Sequence, residues 1–263
     1  MSDAVIEIEN FSFSFGKKRI LRDVSLAVRG GEFLSIIGPN GAGKTTLIKC
    51  IDRILTGGAG VIKIDGVPIE RFTQKDLAKL IGYVPQADGR DLPFTVHEFV
   101  MMGRYPHLSP FSTIKASDEN VVHQALTVTG TVEFNDRLLG TLSGGERQKV
   151  FIAAALAQEA KILLLDEPTT FLDYKHQGEV QALLKHLNKG AGVTIVSVTH
   201  DINAAALTSD RIVALKHGSV VFSGPAGKLM NNEVLEAIYD KPFLFTRHPQ
   251  TDMPIVVPQE VQA

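Results

Sequence analysis

Three apolar runs along the chain lack alternation: FLSIIG at 33–38, ILLLD at 162–166 and VTIVSVTH at 193–200. Continuous runs of this length predict strands buried on both faces. Helical patterns separate them, so a parallel sheet of α/β type is the expected core. The beginning of the chain reads differently. VIEIENFSFSF at 5–15 alternates apolar and polar, with Ile6 and Ile8 followed by Phe11, Phe13 and Phe15. That period predicts strands with one buried face. GVIKIDGVPI at 60–69 carries a hairpin signal at Asp65-Gly66. These N-terminal strands are expected to be antiparallel, which makes the sheet mixed.

From about 88 to 142 the pattern turns helical. HEFVMMGRY and ASDENVVHQALTVTG read as helices joined by a Pro-containing loop, a helical insert in the sheet domain. RIVALKHGSVVFSG at 211–224 predicts a hairpin over His217-Gly218, and KLMNNEVLEAIY at 228–239 predicts a helix. Beyond it, Pro242, Pro249, Pro254 and Pro258 are expected to break regular structure. The reading is therefore one main domain over 1–240 and a tail or flap over 241–263.

Composition narrows the class. With 263 residues, 44% of them hydrophobic, the chain can fill one large core or two small ones. A net charge of −2 gives no general pull toward nucleic acid or acidic membrane. The single cysteine, Cys50, cannot form an internal disulfide and reads as a small buried hydrophobe in a reducing compartment. MSDAVIEIEN carries acids where a secretory leader needs a basic start and an apolar core. No apolar run approaches the roughly 20 residues that span a bilayer, so a membrane role would require a partner.

Two Gly-rich stretches open helices about a hundred residues apart. Gly38-Pro39-Asn40-Gly41-Ala42-Gly43-Lys44-Thr45 fits G-x-x-x-x-G-K-[ST] between an apolar strand and a helical segment, the context a phosphate loop requires. Its glycines let successive N–H groups turn toward one anion, and the helix N-terminus adds partial positive charge. Lys44 would meet the β- and γ-phosphates, Thr45 would offer Mg²⁺ a hydroxyl, and Thr46 would reach the α-phosphate. Kinases, GTPases and motors share this loop. The second stretch is TLSGGERQKV at 141–150. Ser143 and Glu146 have capping-box spacing, yet Gly144 and Gly145 occupy the first turn, where each costs about 1 kcal/mol against Ala.

Ile162 to Asp166 is a buried strand ending in acids, Asp166 and Glu167. Ligands of open α/β sheets gather at such strand ends. Asp166 is thus placed to hold Mg²⁺ through water, and Glu167 to polarise an attacking water as general base. Two solvated loop acids are the alternative. Gln86, after strand-like IGYVP, has both donor and acceptor to touch Mg²⁺ or its water; alone it would be an ordinary solvated loop residue. His200 ends VTIVSVTH, where it can bond a γ-phosphate and orient water, or serve structure only.

Together these residues resemble the ATP-binding subunit of an ABC transporter over nearly the whole chain to about 240. The motifs fall in that family's order: Walker A GPNGAGKTT, Gln86 of the Q-loop, LSGGE at 142–146, Walker B ILLLDE, Asp173 of the D-loop and His200 of the H-loop. The resemblance implies a P-loop NTPase fold and an ATPase that uses ATP and Mg²⁺, with Thr45, Gln86 and Asp166 as metal ligands. It implies a homodimer formed on ATP binding, in which Ser143, Gly144, Gly145 and Asp173 face the partner's ATP. It also implies an adenine-stacking aromatic, Phe15, with Phe13 as second candidate and sheet core as the alternative for both. Glu146 stands where Gln is common in the family, and a helix start favours its charge.

FTVHEFVMMGRYPHLSPF at 94–111 and DEPTTFLDYKHQ at 166–177 look like the branch that imports iron-siderophore, haem or cobalamin. Phe171 stands where many other members carry a small residue. This branch implies a peripheral subunit on the cytoplasmic face of the inner membrane, serving transmembrane permease subunits. An extracytoplasmic binding protein would act indirectly, and no nucleic acid would be involved. The permease contact is expected around Gly103, Arg104, Tyr105, Pro106 and His107. The alternative is a non-transport relative acting on DNA or ribosomes. Such proteins usually carry two cassettes, a coiled coil or a basic extension, which this chain lacks. A plain P-loop kinase leaves LSGGE and His200 unexplained.

Overall fold

The computed structural model describes residues 4–86, 92–109 and 113–257. Two compact units make up the chain, one from residues 1–69 and 196–263 and the other from 70–195.

The first unit begins with β1 (Ala4–Phe15) and β2 (Lys18–Arg29), paired antiparallel from Ala4 opposite Arg29 to Phe15 opposite Lys18. Along β1 the buried positions switch parity, from Ile6 and Ile8 to Phe11 and Phe13. A one-residue slip would send the second pair to solvent. A bulge between Ile8 and Phe11, with Asn10 at φ 48°, absorbs the extra residue and keeps all four side chains on the core face. β3 (Phe33–Ile37) is buried at every position and feeds α1 (Lys44–Ile51). β4 (Ala59–Ile64) pairs with β1, and β5 (Val67–Pro68) pairs with β4 across Asp65-Gly66, both at positive φ as a primed turn needs.

The second unit contains α2 (Gln74–Leu77), β6 (Ile81–Val84), α3 (Val96–Met102), α4 (Ala116–Thr129), α5 (Gly144–Ala157), β7 (Ile162–Asp166) and α6 (Tyr174–Ala191). β6 and β7 are parallel, Ile81 opposite Ile162 through Val84 opposite Leu165. α3, α4 and α5 enclose Val96, Val100, Val122, Leu126, Leu139 and Val150. These helices occupy the expected insert, of which residues 88–91 and 110–112 lie outside the described residues. Local signals bound these helices: Thr95 and Glu98 close a capping box at the start of α3, and Gly130 ends α4 in the left-handed region.

β8 (Thr194–Val198) carries the chain back into the first unit. There follow α7 (Ile202–Thr208), β9 (Arg211–Lys216), β10 (Ser219–Gly224), α8 (Ala226–Leu229) and α9 (Asn232–Tyr239). β9 runs parallel to β3, and β10 returns antiparallel over His217-Gly218, both at positive φ. The fold is thus mixed α/β, with buried parallel strands and antiparallel N-terminal strands.

Two expectations need correction. Residues 228–239 form two helices rather than one, because Asn231 leaves the helical region and caps α9 by accepting from the Glu233 N–H at 2.8 Å. The Pro-rich end is also regular: β11 (Leu244–Arg247) and β12 (Pro254–Val257) form an antiparallel hairpin. Pro242 and Pro249 fall outside the strands and Pro254 is the first residue of its strand, a position that tolerates a missing donor. Pro258 lies outside the described residues. The hairpin is docked: the Asn203 amide on α7 donates to Val256 O (2.9 Å) and accepts from Val256 N (2.8 Å). Phe245, Met253 and Val256 pack against the core under α7, α8 and α9.

Candidate functional site

In the first unit the end of β3 turns sharply into α1. Gly38 has φ +139°, and a Cβ there would lie 2.0 Å from Leu215 O. Gly43 has φ +98°, and its Cβ would meet Leu21 Cδ2 at 2.8 Å. Neither position accepts another residue, so the loop's path depends on bare backbone. Gly41, at φ +78° in open space, is required for conformation alone. Lys44 is buried, and its ammonium donates to Gly38 O (2.9 Å) and Pro39 O (3.2 Å). A buried cation needs such acceptors; here they hold it across the loop whose N–H groups would cradle an anion. Thr45 and Thr46 are the next two residues of α1.

The second unit gathers Gln86, Asp166 and Glu167 at the ends of β6 and β7. Asp166 is 4% exposed and accepts from Tyr83 Oη at 3.3 Å. Glu167 turns away from the strand at φ +50°. Its Oε2 accepts from Thr170 Oγ1 at 2.9 Å and from the Gln86 amide at 3.4 Å. Parallel pairing of β6 with β7 therefore places Gln86 beside Glu167, although 81 residues separate them. Tyr83 and Thr170 escaped the sequence reading. Tyr83 sits three residues before Gln86 in a strand, and nothing local marks its hydroxyl for an acid on another strand.

At the start of α5, Ser143 and Glu146 complete the capping box: the Ser143 N–H donates to Glu146 Oε2 at 2.7 Å, and the Glu146 N–H to Ser143 Oγ at 3.3 Å. That backbone donor holds the Glu146 carboxyl below the usual carboxylate range. The two glycines differ. A Cβ on Gly144 would touch only Leu172 Cδ2, at 3.4 Å. A Cβ on Gly145 would fall 2.3 Å from both Cγ and Cδ2 of His176. Gly145 is therefore demanded by packing within the chain, and His176 is the residue that demands it. The His176 ring is fixed in turn by Asp173, whose Oδ1 lies 2.9 Å from Nδ1 and caps α6 by accepting from the His176 N–H, also at 2.9 Å. This backbone donor holds the Asp173 carboxyl below its ordinary range, and the ring adds to it. Signature helix and D-loop thus form one packed piece.

The remaining candidates fall as follows. Phe15 ends β1 with its ring 52% exposed and edge-on to Phe13, while Phe13 itself is buried core. His200 follows Thr199, whose N–H donates to Ile36 O of β3 at 3.1 Å; in the first unit His200 therefore follows a residue tied to the strand that feeds the phosphate loop. The 103–107 segment divides. Tyr105 is 74% exposed and His107 is exposed. Gly103, Arg104 and Pro106 are buried, and a Cβ on Gly103 would lie 2.3 Å from Ala154 O. Arg104 donates to Asp118 Oδ1 (3.1 Å), Ala157 O (2.6 Å) and Glu159 Oε2 (2.7 Å), tying α4 to the end of α5. As a surface contact the segment reduces to Tyr105 and His107; the other three hold it up from inside. Residues 110 and 111 of the 94–111 segment lie outside the described residues.

A model of the ABC transporter family matches residues 21–170. The chain is 39% identical to the iron(3+)-hydroxamate import ATP-binding protein FhuC of Bacillus subtilis, over 95% of this chain and 93% of that protein. A metal-chelate type ABC transporter solved in an inward-facing conformation superposes with a TM-score of 0.86 at 27% identity, covering 98% of each chain. The ATP-binding cassette MJ0796, solved as a dimer in a post-hydrolysis state bound to ADP and Pi, superposes at 0.72 with 30% identity, over 84% of this chain and 98% of that one.

Proposed function

The chain belongs to the ABC transporter family as an ATP-binding, ATP-hydrolysing subunit, and from that premise we propose that it drives import of an iron chelate of the siderophore type through a partner permease. The observation that carries the coupling is the Gln86 amide, 3.4 Å from the Glu167 carboxylate. Gln86 directly follows Pro85, which lines a groove of about 200 Å³ with Tyr83, Phe99, Met102 and Phe151. One residue thus stands between a groove of mixed polar and apolar lining, suited to a permease element, and the acid suited to hydrolysis. Support for the cargo comes from relatives that serve iron-hydroxamate and enterobactin transport.

The residues divide the labour. Lys44 would exchange its Gly38 and Pro39 carbonyls for phosphate oxygens, while the bare backbone of Gly38, Gly41 and Gly43 would let N–H groups close on them. Thr46 would reach the α-phosphate and Phe15 would stack on adenine. Water oxygen would attack the γ-phosphorus, the bond to the β–γ bridging oxygen would break with its electrons leaving on ADP, and Glu167 would take the proton. Gln86 and Thr170 would orient Glu167, and His200 would hold the γ-phosphate. Thr45, Gln86 and Asp166, whose buried carboxylate suits a hard cation, would hold Mg²⁺, which supplies neutralisation of phosphate charge. Ser143, Gly144, Gly145 and Asp173 would face the ATP of a second copy.

Among the described residues no helix is long and apolar enough to cross a membrane. Attachment to the cytoplasmic face of the inner membrane would therefore come through the permease, supplied from outside by a binding protein. The test is uptake of ferric hydroxamate and ferric enterobactin in cells lacking their own ATP-binding subunit. Expression of the chain with its permease should restore uptake of one chelate, and Glu167→Gln should abolish it while ATP binding persists. Restored uptake by Glu167→Gln, or no chelate transported, would overturn the proposal.

A further inference from the structure

Tyr239 is the last residue of α9, and its hydroxyl is sealed from water. Among the described residues, no partner meets that hydroxyl in full hydrogen-bonding geometry. A buried hydroxyl so placed costs free energy, and native folds seldom leave one unmatched. The group set against it is the backbone N–H of Gly38, the first residue of the phosphate loop. Burial pushes the phenol up to about 12, and this N–H pulls the other way. Tyr239 and Gly38 lie far apart in sequence. They meet because one apolar cluster holds both their neighbours, Ile37 before Gly38 and Ile238 before Tyr239.

The phenol is held from several sides. Its ring stands against Phe243 with centroids 5.6 Å apart, and the Phe243 N–H donates to Asn232 Oδ1 at the start of α9 (2.7 Å). The Lys216 ammonium donates to Ala237 O (2.6 Å) and Asp240 Oδ1 (2.7 Å), which pins the end of α9 to β9. Gly38 is confined by the same strand, since its bare Cα lies against the carbonyl of Leu215, the residue before Lys216. We propose that Tyr239 is a positioning residue of the phosphate loop, its hydroxyl holding the Gly38 peptide more tightly once phosphate fixes the loop. The proposal rests on the functional reading above, in which this loop binds ATP. Phosphate would draw the N–H groups of the later loop residues toward itself and stiffen the path back to Gly38. The imperfect bond to Tyr239 would then close, and ATP binding would gain what folding alone does not.

The test is Tyr239→Phe in the full chain, which keeps the ring and removes only the hydroxyl. Equilibrium binding of a fluorescent ATP analogue and thermal unfolding without nucleotide are measured on the same preparation. Binding should weaken about fivefold, the worth of one neutral hydrogen bond. The melting temperature should equal or exceed that of the parent, because a poorly matched buried hydroxyl is gone. Exchange of the Gly38 amide, followed by NMR, should slow less on addition of ATP in Tyr239→Phe than in the parent. Phe245→Leu loosens the same cluster without touching the hydroxyl and should leave ATP affinity unchanged. Unchanged ATP affinity in Tyr239→Phe, with or without a lower melting temperature, overturns the positioning role. Equal weakening by Phe245→Leu overturns it too, in favour of general loosening. Lys44→Ala separates the two levels. If it binds ATP as tightly as the parent, the reading of the loop fails and the proposal with it; if it weakens binding and Tyr239→Phe does not, the role of Tyr239 alone is overturned.

Discussion

Replacing Gly145 by Ala tests the packing of signature helix on D-loop in a chain without nucleotide. The new Cβ would stand 2.3 Å from His176 Cγ and Cδ2 and 2.6 Å from its Cβ. Relief requires the ring to move by roughly 1 Å, since nonbonded carbons settle near 3.5–4 Å. The ring is not free to move, because Nδ1 and the backbone N–H of His176 both bond Asp173 Oδ1. Overpacking costs about 1–3 kcal/mol, and losing the Asp173 cap about 1 more. Against this, Ala recovers at most about 1 kcal/mol of helix propensity. The expected net loss is about 1–3 kcal/mol, measured by urea unfolding of the isolated chain. His176→Ala in the same chain removes the clash, so Gly145→Ala with His176→Ala should be more stable than Gly145→Ala alone, with a coupling of at least about 1 kcal/mol. Hydrolysis should stay low in that double variant, because the added methyl would still cover the N–H groups proposed to meet a second copy's phosphate. A Gly145→Ala chain as stable as its parent, or one that His176→Ala fails to rescue, would refute the reasoning.

Other consequences follow from the same geometry. Lys44→Ala should weaken ATP binding by at least about tenfold, since one charge-assisted phosphate contact is lost; equilibrium binding of a fluorescent ATP analogue measures it. Arg104→Ala should cost about 3 kcal/mol or more in denaturant unfolding, because its buried guanidinium serves three acceptors. The Glu146 carboxyl is held low by the Ser143 N–H. Its capping contribution is therefore complete above the ordinary carboxylate pKa and lost as pH falls through the lowered folded value. Glu146→Gln keeps the cap without the charge and should flatten that part of the acid limb in a stability–pH series.

Much of the site was legible in one dimension. GPNGAGKTT and the paired acids after ILLL are local patterns whose proposed chemistry was read from spacing and strand position, the role proposed for LSGGE came from the family resemblance, and the hairpins at Asp65-Gly66 and His217-Gly218 follow from turn residues. Arg104 was read as a surface contact because nothing within GRYPH reveals Asp118 or Glu159. The end of the chain was read as irregular because proline content signals breaks and does not signal a hairpin held by Asn203, some fifty residues away. Tyr83 and Thr170 were invisible for the same reason: a hydroxyl acquires meaning from the acid it meets.

The sequence by itself determined most of the elements up to residue 224, the phosphate loop, the capping box and the order of the motifs, because periodicity, glycine placement and helix capping act over a few residues. Tertiary structure decided why Gly145 is glycine. No window around TLSGGERQKV contains His176, and the ring that fills the space above Gly145 arrives thirty-one residues later on α6. Close packing couples positions by volume rather than by spacing along the chain, so the demand for a missing side chain appears only when both helices are in place.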